Sequence, residues 1–274
     1  MEPHRTARVG VAAGVLVLGF ILAACGSESS PADPSENSSD DSSSPTASAS
    51  SSSPASDSAA ASSSASPTAT EPTMNRRQAT ALLTRATARG DLEGVQEAIA
   101  HRADLEVRND EGRTPLVVAT KTNRIEIARA LLDAGADPDA KDDMEDSAFL
   151  YAGAEGLNEI LRMTLEKGAD VKSTNRYGGT ALIPASEHAH VATVRILLKA
   201  RSPVNHINNL GWTAMHEAIV LGNGSDDHVK VVEMLLEAGA DPSIRDGDGV
   251  LPRQLAADRG YDEIVAAIDR AIRR

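Results

Sequence analysis

Residues 114–137 read TPLVVATKTNRIEIARALLDAGAD, and this stretch decides the fold. Thr114 is a residue type that caps helix N-termini, and Pro115 suits the first helical turn, where no amide proton is needed. Apolar residues then recur at helical spacing up to a Leu-Leu pair, and Gly135 can end the second helix in the left-handed conformation. The stretch therefore predicts two short helices joined by a turn.

The same pattern recurs through the C-terminal part of the chain at a stride of 33 residues. The segments TPLVVA, SAFLYA, TALIPA and TAMHEA begin at Thr114, Ser147, Thr180 and Thr213. A further unit lies one step earlier, and the last, LPRQLA from Leu251, follows after the same stride plus a five-residue insertion. A period of this length predicts stacked repeats, in which each unit buries its apolar face against its neighbours. The six units start near residues 77, 110, 143, 176, 209 and 247.

These residues resemble the ankyrin-repeat family. Thr114-Pro115-Leu116, the Leu-Leu pairs and Gly135-Ala136-Asp137 stand where the ankyrin pattern places them, and the resemblance covers about residues 77–272. It implies an all-α ankyrin-repeat solenoid, with six helix-turn-helix units and β-turn tips, in a domain over residues 74–274. The runs around 178–185 and 204–213 are similar to a group of exported bacterial ankyrin proteins.

Individual positions within the units carry further expectations. Arg253 stands where inner units have an apolar residue, which indicates a capping repeat with one face in water. Pro184 falls inside the first helix of its unit, so we expect a local kink from one lost hydrogen bond. Phe149 and Tyr151 fall on helix positions that we expect to be in the core.

The N-terminus has the pattern of an export signal. Arg5 and Arg8 precede an uncharged apolar run, and small residues follow it. The segment from Leu22 to Gly26 resembles the lipobox of bacterial lipoproteins, which implies cleavage before Cys25 and a diacylglyceryl group on its thiol. We therefore predict a lipoprotein signal peptide at 1–24 and a lipid anchor at Cys25, which places the protein on the extracytoplasmic face of a bacterial cell membrane. An uncleaved anchor helix and an unpaired free thiol are the alternatives.

Residues 26–73 predict a disordered tether between the bilayer and the repeats. Twenty of these 48 residues are Ser, and none is Val, Ile, Leu, Met, aromatic or basic. Such a segment cannot bury enough apolar surface to offset the entropy of ordering. Its seven acidic residues give it a charge of -7.

Composition excludes several classes of function. The single cysteine allows neither an internal disulfide nor a thiolate zinc site. The 40 acidic residues against 27 basic ones disfavour a nucleic-acid partner, because phosphate binding needs clustered positive charge.

The run Glu187-His188-Ala189-His190 is the best candidate for chemistry, as a metal or general-base site. However, the ankyrin resemblance implies that His190 and His216 are structural, and an exposed groove position accounts for His188. We predict no catalytic residue, no metal and no cofactor. A hydrolase or metal-dependent activity centred on His188 is the alternative.

A stacked-repeat domain offers instead an extended concave face, made of the turn tips and the first helices. Apolar and aromatic residues at tip positions predict anchors for an unidentified protein partner, because interface energy concentrates in such side chains. A non-catalytic, membrane-tethered adaptor is the predicted function, and a passive envelope spacer is an alternative. Leu210 and Trp212 could also simply brace the adjacent turn. The candidate contact residues are Met144, Tyr177, Leu210, Trp212, Arg113, Arg176, Glu187 and His188.

Overall fold

The computed structural model describes residues 74–274, which form twelve α-helices in six consecutive pairs. These residues contain no β-strand, only an isolated antiparallel bridge between Thr174 and Thr180. The predicted all-α solenoid is confirmed. The helices are α1 Arg76–Arg89, α2 Leu92–Ala100, α3 Pro115–Lys121, α4 Ile125–Asp133, α5 Ala148–Ala154, α6 Asn158–Glu166, α7 Leu182–Glu187, α8 Val191–Lys199, α9 Ala214–Val220, α10 Asp226–Glu237, α11 Pro252–Asp258 and α12 Asp262–Ile272.

The predicted signal peptide at 1–24, the anchor at Cys25 and the tether at 26–73 lie outside the described residues. Within residues 74–274, no helix has both the length and the apolar character that crossing a bilayer requires.

The helices pack in the manner of stacked repeats. Each first helix of a pair contacts its own second helix and the first helix of the next unit, and the second helices contact one another in the same way. Leu116, Phe149, Leu182 and Met215 occupy equivalent positions in α3, α5, α7 and α9, and all four are buried. At the same position of α11, Arg253 is exposed and its Nη2 donates to Asp269 at 2.9 Å. The last unit therefore closes the stack with a polar face.

The predicted helix ends are confirmed in the stretch that decided the fold. The Thr114 hydroxyl accepts the Val117 N–H at 3.3 Å and so caps α3. Gly135 has a φ of 97°, a left-handed conformation that favours glycine, and it ends the turn after α4. The following Ala136 N–H donates back to the Leu131 carbonyl at 3.0 Å, which satisfies a carbonyl at the helix end.

Two expectations about helix interiors are wrong. Helix α7 begins only at Leu182, so Pro184 is its third residue, where an N–H would have no partner within the helix. Pro184 therefore removes no hydrogen bond of the helix, and the expected kink has no cause. Phe149 is in the core, but Tyr151 is only half-buried, and its ring lies over the Lys121 ammonium.

Five turn tips share one hydrogen-bonding pattern. An Asp or Asn side chain at the start of each turn accepts the backbone N–H groups two and four residues later, as Asp142 Oδ1 does from Met144 at 3.0 Å and Asp146 at 2.9 Å. These bonds fix the backbone of each tip locally. The five acceptors are Asn109, Asp142, Asn175, Asn208 and Asp246.

Candidate interaction surface

Three consecutive tips carry large apolar side chains at the same position. Met144, Tyr177 and Leu210 follow one another at the 33-residue stride, and they are 48%, 49% and 54% exposed. The equivalent residues on either side are Glu111 and Asp248, which are charged and exposed. Residues 144, 177 and 210, called the tip row below, are therefore an apolar row with an acidic residue at each end.

Hydrogen bonds join the neighbouring tips of the tip row: the Arg176 side chain donates to the Met144 carbonyl at 3.5 Å, and a backbone bond joins the next pair of tips. The Asn209 N–H donates to the Tyr177 carbonyl at 2.9 Å. On the other side of Tyr177, the Arg176 guanidinium carbon lies 4.6 Å from the centroid of the Tyr177 ring. A cation at this distance is attracted to the ring face, so Arg176 helps to position Tyr177 while leaving half of the side chain in water.

Trp212 lies two residues beyond Leu210 and is only half-buried. Its backbone N–H is bound by the Asn208 side chain at 3.0 Å. Leu210 is the most exposed member of the tip row, at 54%. The same Asn208 side chain also accepts the Leu210 N–H at 3.0 Å, so it holds the backbone of this turn.

A network of ion pairs, called the balanced cluster below, joins the second and third units. The Lys121 ammonium, at the end of α3, lies 3.1 Å from Asp142 Oδ2 and 2.8 Å from Asp146 Oδ2, and it is 4.9 Å from the centroid of the Tyr151 ring. Arg113 Nε reaches the same Asp142 oxygen at 3.5 Å. Arg113 also lies 4.0 Å from Glu111, and Arg176 lies 4.0 Å from Asp146, so three cations and three carboxylates balance one another beside the aromatic ring.

Asp142 is the buried member of this network. Its burial disfavours ionisation, but the Asp146 backbone N–H and the Lys121 ammonium outweigh that effect and hold the pKa of Asp142 below its usual value. The carboxylate is thus charged at neutral pH and fixes Lys121 against the third unit.

A different group of acids lies between the fourth and fifth units. Glu217, on α9, is buried, and its Oε1 accepts the Asn208 side-chain amide at 2.7 Å. Burial and the nearby charge of Glu187, at the end of α7, raise the pKa of Glu217 to about 8, although the Asn208 bond opposes this. At neutral pH this carboxyl is largely protonated, which is unusual for a glutamate and reflects the lack of a cation beside it.

The histidine side chains on and near the concave face contact carbonyl, hydroxyl or glycine groups of the same chain. His188 Nδ1 is 3.1 Å from the Ala154 carbonyl, and His228 Nε2 is 3.0 Å from the Glu187 carbonyl. His216 is fully buried, with Nδ1 2.8 Å from the Thr213 hydroxyl, so it belongs to the cap of α9. The His190 ring packs on Gly156, and burial together with the nearby His188 lowers its pKa.

The run from Glu187 to His190 does not gather into a metal site. Within the described residues, no group of three or more His, Cys, Asp or Glu side chains is placed to hold a metal ion. The His188 and His190 rings are 5.5 Å apart between centroids and tilted by 60°, and each contacts the preceding unit. Both rings therefore contribute to the packing of the fourth unit against the third.

Sequence reasoning placed Met144, Tyr177 and Leu210 on the exposed tips, but it missed the buried polar residues of the neighbouring turns and first helices. Asp142, Asn208 and Glu217 were not among the candidates, and Tyr151 was assigned to the core. A signal was available: Asp142 and Asn208 start equivalent turns, and Tyr151 and Glu217 occupy one equivalent slot in their first helices. Comparing the polar residues at the repeat stride, as well as the apolar ones, would have found them.

This architecture matches that of known ankyrin-repeat proteins. The family model for ankyrin repeats (3 copies) matches residues 61–142 and 149–246. The crystal structure of an ankyrin repeat domain from Acinetobacter baumannii AYE is 51% identical, with 69% of this chain and 96% of that one covered and a TM-score of 0.68. The ankyrin repeat protein EF0377 is 38% identical, with 69% and 97% covered and a TM-score of 0.68.

A shorter match connects the chain to a curated relative. The putative ankyrin repeat protein YahD of Escherichia coli K12 is 46% identical over 48 residues, which are 18% of this chain and 24% of YahD. The chain thus spans about a quarter of the length of that relative. Since the family model covers well over half of the chain and two solved ankyrin domains match along nearly their full length, this protein belongs to the ankyrin-repeat family.

Proposed function

We propose that this protein is a membrane-tethered adaptor, which binds another protein through its concave face on the extracytoplasmic side of a bacterial membrane and performs no catalysis. Ankyrin repeats are protein-protein interaction domains, so the repeats supply the binding module. The observation that carries the proposal is the tip row, in which Met144, Tyr177 and Leu210 are each about half exposed. Apolar side chains aligned over three units cost solubility, and such patches mark interaction sites.

The position of the tip row favours binding over a structural role. The turns beneath it are already held by the Asx side chains and by backbone bonds between tips, such as the bond from Asn209 to Tyr177. Removing the side chains of Met144, Tyr177 and Leu210 should therefore leave the solenoid folded. A partner that covers them would bury apolar surface at three adjacent points, which suits an extended segment or a helix face.

The first experiment separates binding from folding. The triple variant Met144→Ala, Tyr177→Ala, Leu210→Ala is compared with Ile272→Ala, which removes an exposed apolar side chain from the C-terminal helix instead. Crosslinking in intact cells, followed by quantitative mass spectrometry, measures the captured partner. We expect the triple variant to lose about tenfold or more of the capture while its melting temperature stays close to that of the control.

Two results would contradict the adaptor. If the triple variant captures as much partner as the control, the tip row does not bind. If the wild type recovers only abundant envelope proteins, the passive spacer explains the fold better.

The tether is tested at Cys25. The resemblance to the lipobox and the polar segment 26–73 support it, and both precede the described residues. Two acyl chains hold a protein on a bilayer stably where one does not, so Cys25→Ser should release the protein from the membrane fraction. Ser29→Ala in the tether is the matched control and should stay bound. Retention of Cys25→Ser would favour an uncleaved anchor helix.

A further inference from the structure

The first unit closes the stack with a face that differs in charge from that of the last unit. In the last unit Arg253 is paired with Asp269, and Arg270 lies 2.7 Å from Glu233, so these cations are balanced within the protein. In the first unit, α1 carries four arginines and no Asp or Glu over Arg76–Arg89. Capping a solenoid requires a polar face, but it does not require one of a single sign, so capping alone does not explain α1.

The exposed side of α1 is the surface that a preceding unit would cover. Arg85 stands in the slot of Tyr151, two strides later, whose ring lies against Lys121 of the preceding unit. Thr84 stands in the slot of Leu150, which is buried. Thr84 and Arg85 are exposed, since among the described residues no element precedes α1.

All four arginines of α1 are exposed, and residues 74–274 compensate their charge only in part. Arg76 lies 3.9 Å from Asp104, and its side chain is 72% exposed. No other carboxylate of residues 74–274 lies within 4.0 Å of a guanidinium group of α1. The acid nearest along the chain, Asp91, accepts the Gly94 N–H at 3.0 Å and so caps α2. The arginines, called the basic end below, are Arg76, Arg77, Arg85 and Arg89.

Two of these arginines stand where they do not stabilise the helix itself. Arg76 and Arg77 are in the first turn of α1, where the partial positive charge of the helix end disfavours a cation. The second helix of the same unit has an acid, Glu93, in its first turn. Helix α3 begins at Pro115, which corresponds to Leu82, so α1 extends beyond the start of the repeat pattern. The extension therefore adds positive charge to the end of the stack at a small cost in helix stability.

Between the arginines the surface has small side chains. Ala81, Thr84 and Ala88 are exposed, and a shallow depression beside them is lined by Arg76 and Arg77. No large apolar side chain of α1 is exposed, in contrast to the tip row. A protein interface concentrates its energy in large anchors, whereas binding to a charged surface needs only the arginines. The chemistry of this face therefore suits an anionic surface better than a second protein.

We propose that the basic end lies against the anionic headgroups of a phospholipid bilayer and so fixes which end of the stack faces the membrane. The inference rests on the proposed tether, because 48 residues lie between Cys25 and Met74. Among the helices of the repeats, α1 is therefore the one closest along the chain to the anchor. The tip row lies in the third to fifth units, so it stays available to the protein partner while the first unit contacts the bilayer.

The net charge of the repeats does not prevent this contact. Residues 74–274 hold 25 basic and 32 acidic side chains. However, charges farther from the bilayer than a Debye length, about 8 Å at physiological ionic strength, are largely screened. Each arginine close to an anionic leaflet strengthens binding about fivefold, so three of them account for about a hundredfold. The contact should therefore depend on the arginines of α1 and on salt, and not on the charge of the whole domain.

Chemical modification of arginine tests the contact on the full-length protein. The protein is reconstituted into vesicles of phosphatidylcholine, with or without an equal amount of phosphatidylglycerol, and treated with phenylglyoxal. Mass spectrometry then measures the rate of modification at each arginine. We expect the basic end to react at least about tenfold more slowly when phosphatidylglycerol is present, and to lose this protection in about 1 M salt, where the Debye length is about 3 Å. Arg195 and Arg201, which are exposed, should react equally on both kinds of vesicle.

The variant Arg77→Gln, Arg85→Gln, Arg89→Gln keeps Arg76 as a reporter of the contact. In this variant Arg76 should react as fast on the anionic vesicles as on the neutral ones. Its melting temperature should match that of the wild type, because the three side chains are exposed. Protection of Arg76 that persists in the variant would contradict the role of these arginines.

The matched control removes three basic side chains on and just after α8, as Arg195→Gln, Lys199→Gln, Arg201→Gln. These positions are exposed and form no ion pair within residues 74–274, so the change of charge is the same. Arg76 should stay protected in the control.

Three further results would overturn the bilayer contact. The first is an equal rate of modification at the basic end on both kinds of vesicle. The second is protection of Arg195 and Arg201 to the same degree as the basic end, which would mean adsorption without a preferred end. The third is that poly-glutamate, added to the protein on neutral vesicles, protects the basic end as strongly as phosphatidylglycerol does, which would mean that α1 binds an acidic polypeptide.

The failure of this contact is distinguishable from the failure of the proposed function. If the basic end is not protected while the Met144, Tyr177 and Leu210 triple variant loses partner capture, the adaptor stands and the bilayer contact is wrong. If the basic end is protected but Cys25→Ser stays in the membrane fraction, the lipid anchor is wrong. The bilayer contact then stands, because an uncleaved helix also holds the N-terminus on the membrane.

Discussion

Glu217→Gln should make the protein less sensitive to alkaline pH. In the folded chain the pKa of Glu217 is about 8, against 4.5 for an unperturbed side chain. A raised folded-state pKa means that the folded protein binds this proton more tightly than the unfolded chain does. The stability that results is fully present below pH 4.5 and is lost as the pH rises towards 8.

The size of the effect follows from the two pKa values. Each pH unit between them changes the free energy of unfolding by about 1.4 kcal/mol, so the wild type should lose on the order of 4 kcal/mol from pH 5 to pH 8 through this residue. The glutamine of the variant would resemble the protonated side chain, and its carbonyl can still accept the Asn208 amide that Glu217 accepts at 2.7 Å. The variant therefore lacks the ionisation that costs the wild type its stability.

Urea unfolding at several values from pH 5 to pH 8 measures this directly. The difference between wild type and Glu217→Gln cancels the other titrating groups, and it should grow steadily with pH in favour of the variant. Glu187→Gln is the second variant: it removes the like charge that helps to raise the pKa, so the pH-dependent loss of stability should end at lower pH and be smaller than in the wild type. Parallel stability curves for wild type and Glu217→Gln would refute the reasoning, since they would show that the carboxyl ionises in the fold as easily as in the unfolded chain.

Three further substitutions test the packing, the balanced cluster and the turns. Phe149→Ala should cost about 3–5 kcal/mol in urea unfolding, because the side chain is fully buried in the middle of the stack; a loss below about 1 kcal/mol would mean that the stack can collapse around it. Asp142→Asn keeps the acceptor for the turn but removes the charge that holds Lys121, so we expect a loss of about 1–3 kcal/mol at neutral pH that vanishes in acid, where the wild-type carboxyl is protonated; a pH-independent loss would contradict the lowered pKa. Gly135→Ala should cost about 1–2 kcal/mol through its φ of 97° alone, since a Cβ there would meet no atom within 4 Å, and an unchanged midpoint would mean that the turn relaxes.

The repeat stride made most of the fold predictable from the sequence. The residues that define a unit are close together along the chain: Thr114 caps α3, and Gly135 ends the turn after α4. Local rules of capping and periodicity therefore suffice for each unit, and the stride supplies the stacking. Pro184 misled the prediction because helix starts vary by a residue or two, and the first helix of that unit begins later than in its neighbours.

The polar contacts of the concave face were less accessible for a physical reason. They join residues of neighbouring units, such as Lys121 with Asp142, which are far apart in sequence but lie 3.1 Å apart across the stack. Periodicity tells which residues face the core, and it does not tell which charges are paired. Tyr151 shows the same limit: the apolar pattern predicts a core position, but in the structure the Lys121 ammonium lies against its ring.

In a regular repeat protein, the positions at which one unit differs in charge from another are informative. A solenoid reuses the same backbone in every unit, so an equivalent slot has nearly the same surroundings wherever it occurs, and a change of charge between two units is a difference in side chains alone. Lys121 is satisfied within the protein by two carboxylates, whereas two units later Glu187 stands in the equivalent slot and its charge, added to burial, raises the pKa of Glu217. Burial and that like charge favour the protonated form of Glu217, so the same first-helix slot that holds a tyrosine against a lysine in the third unit makes the fifth unit sensitive to alkaline pH.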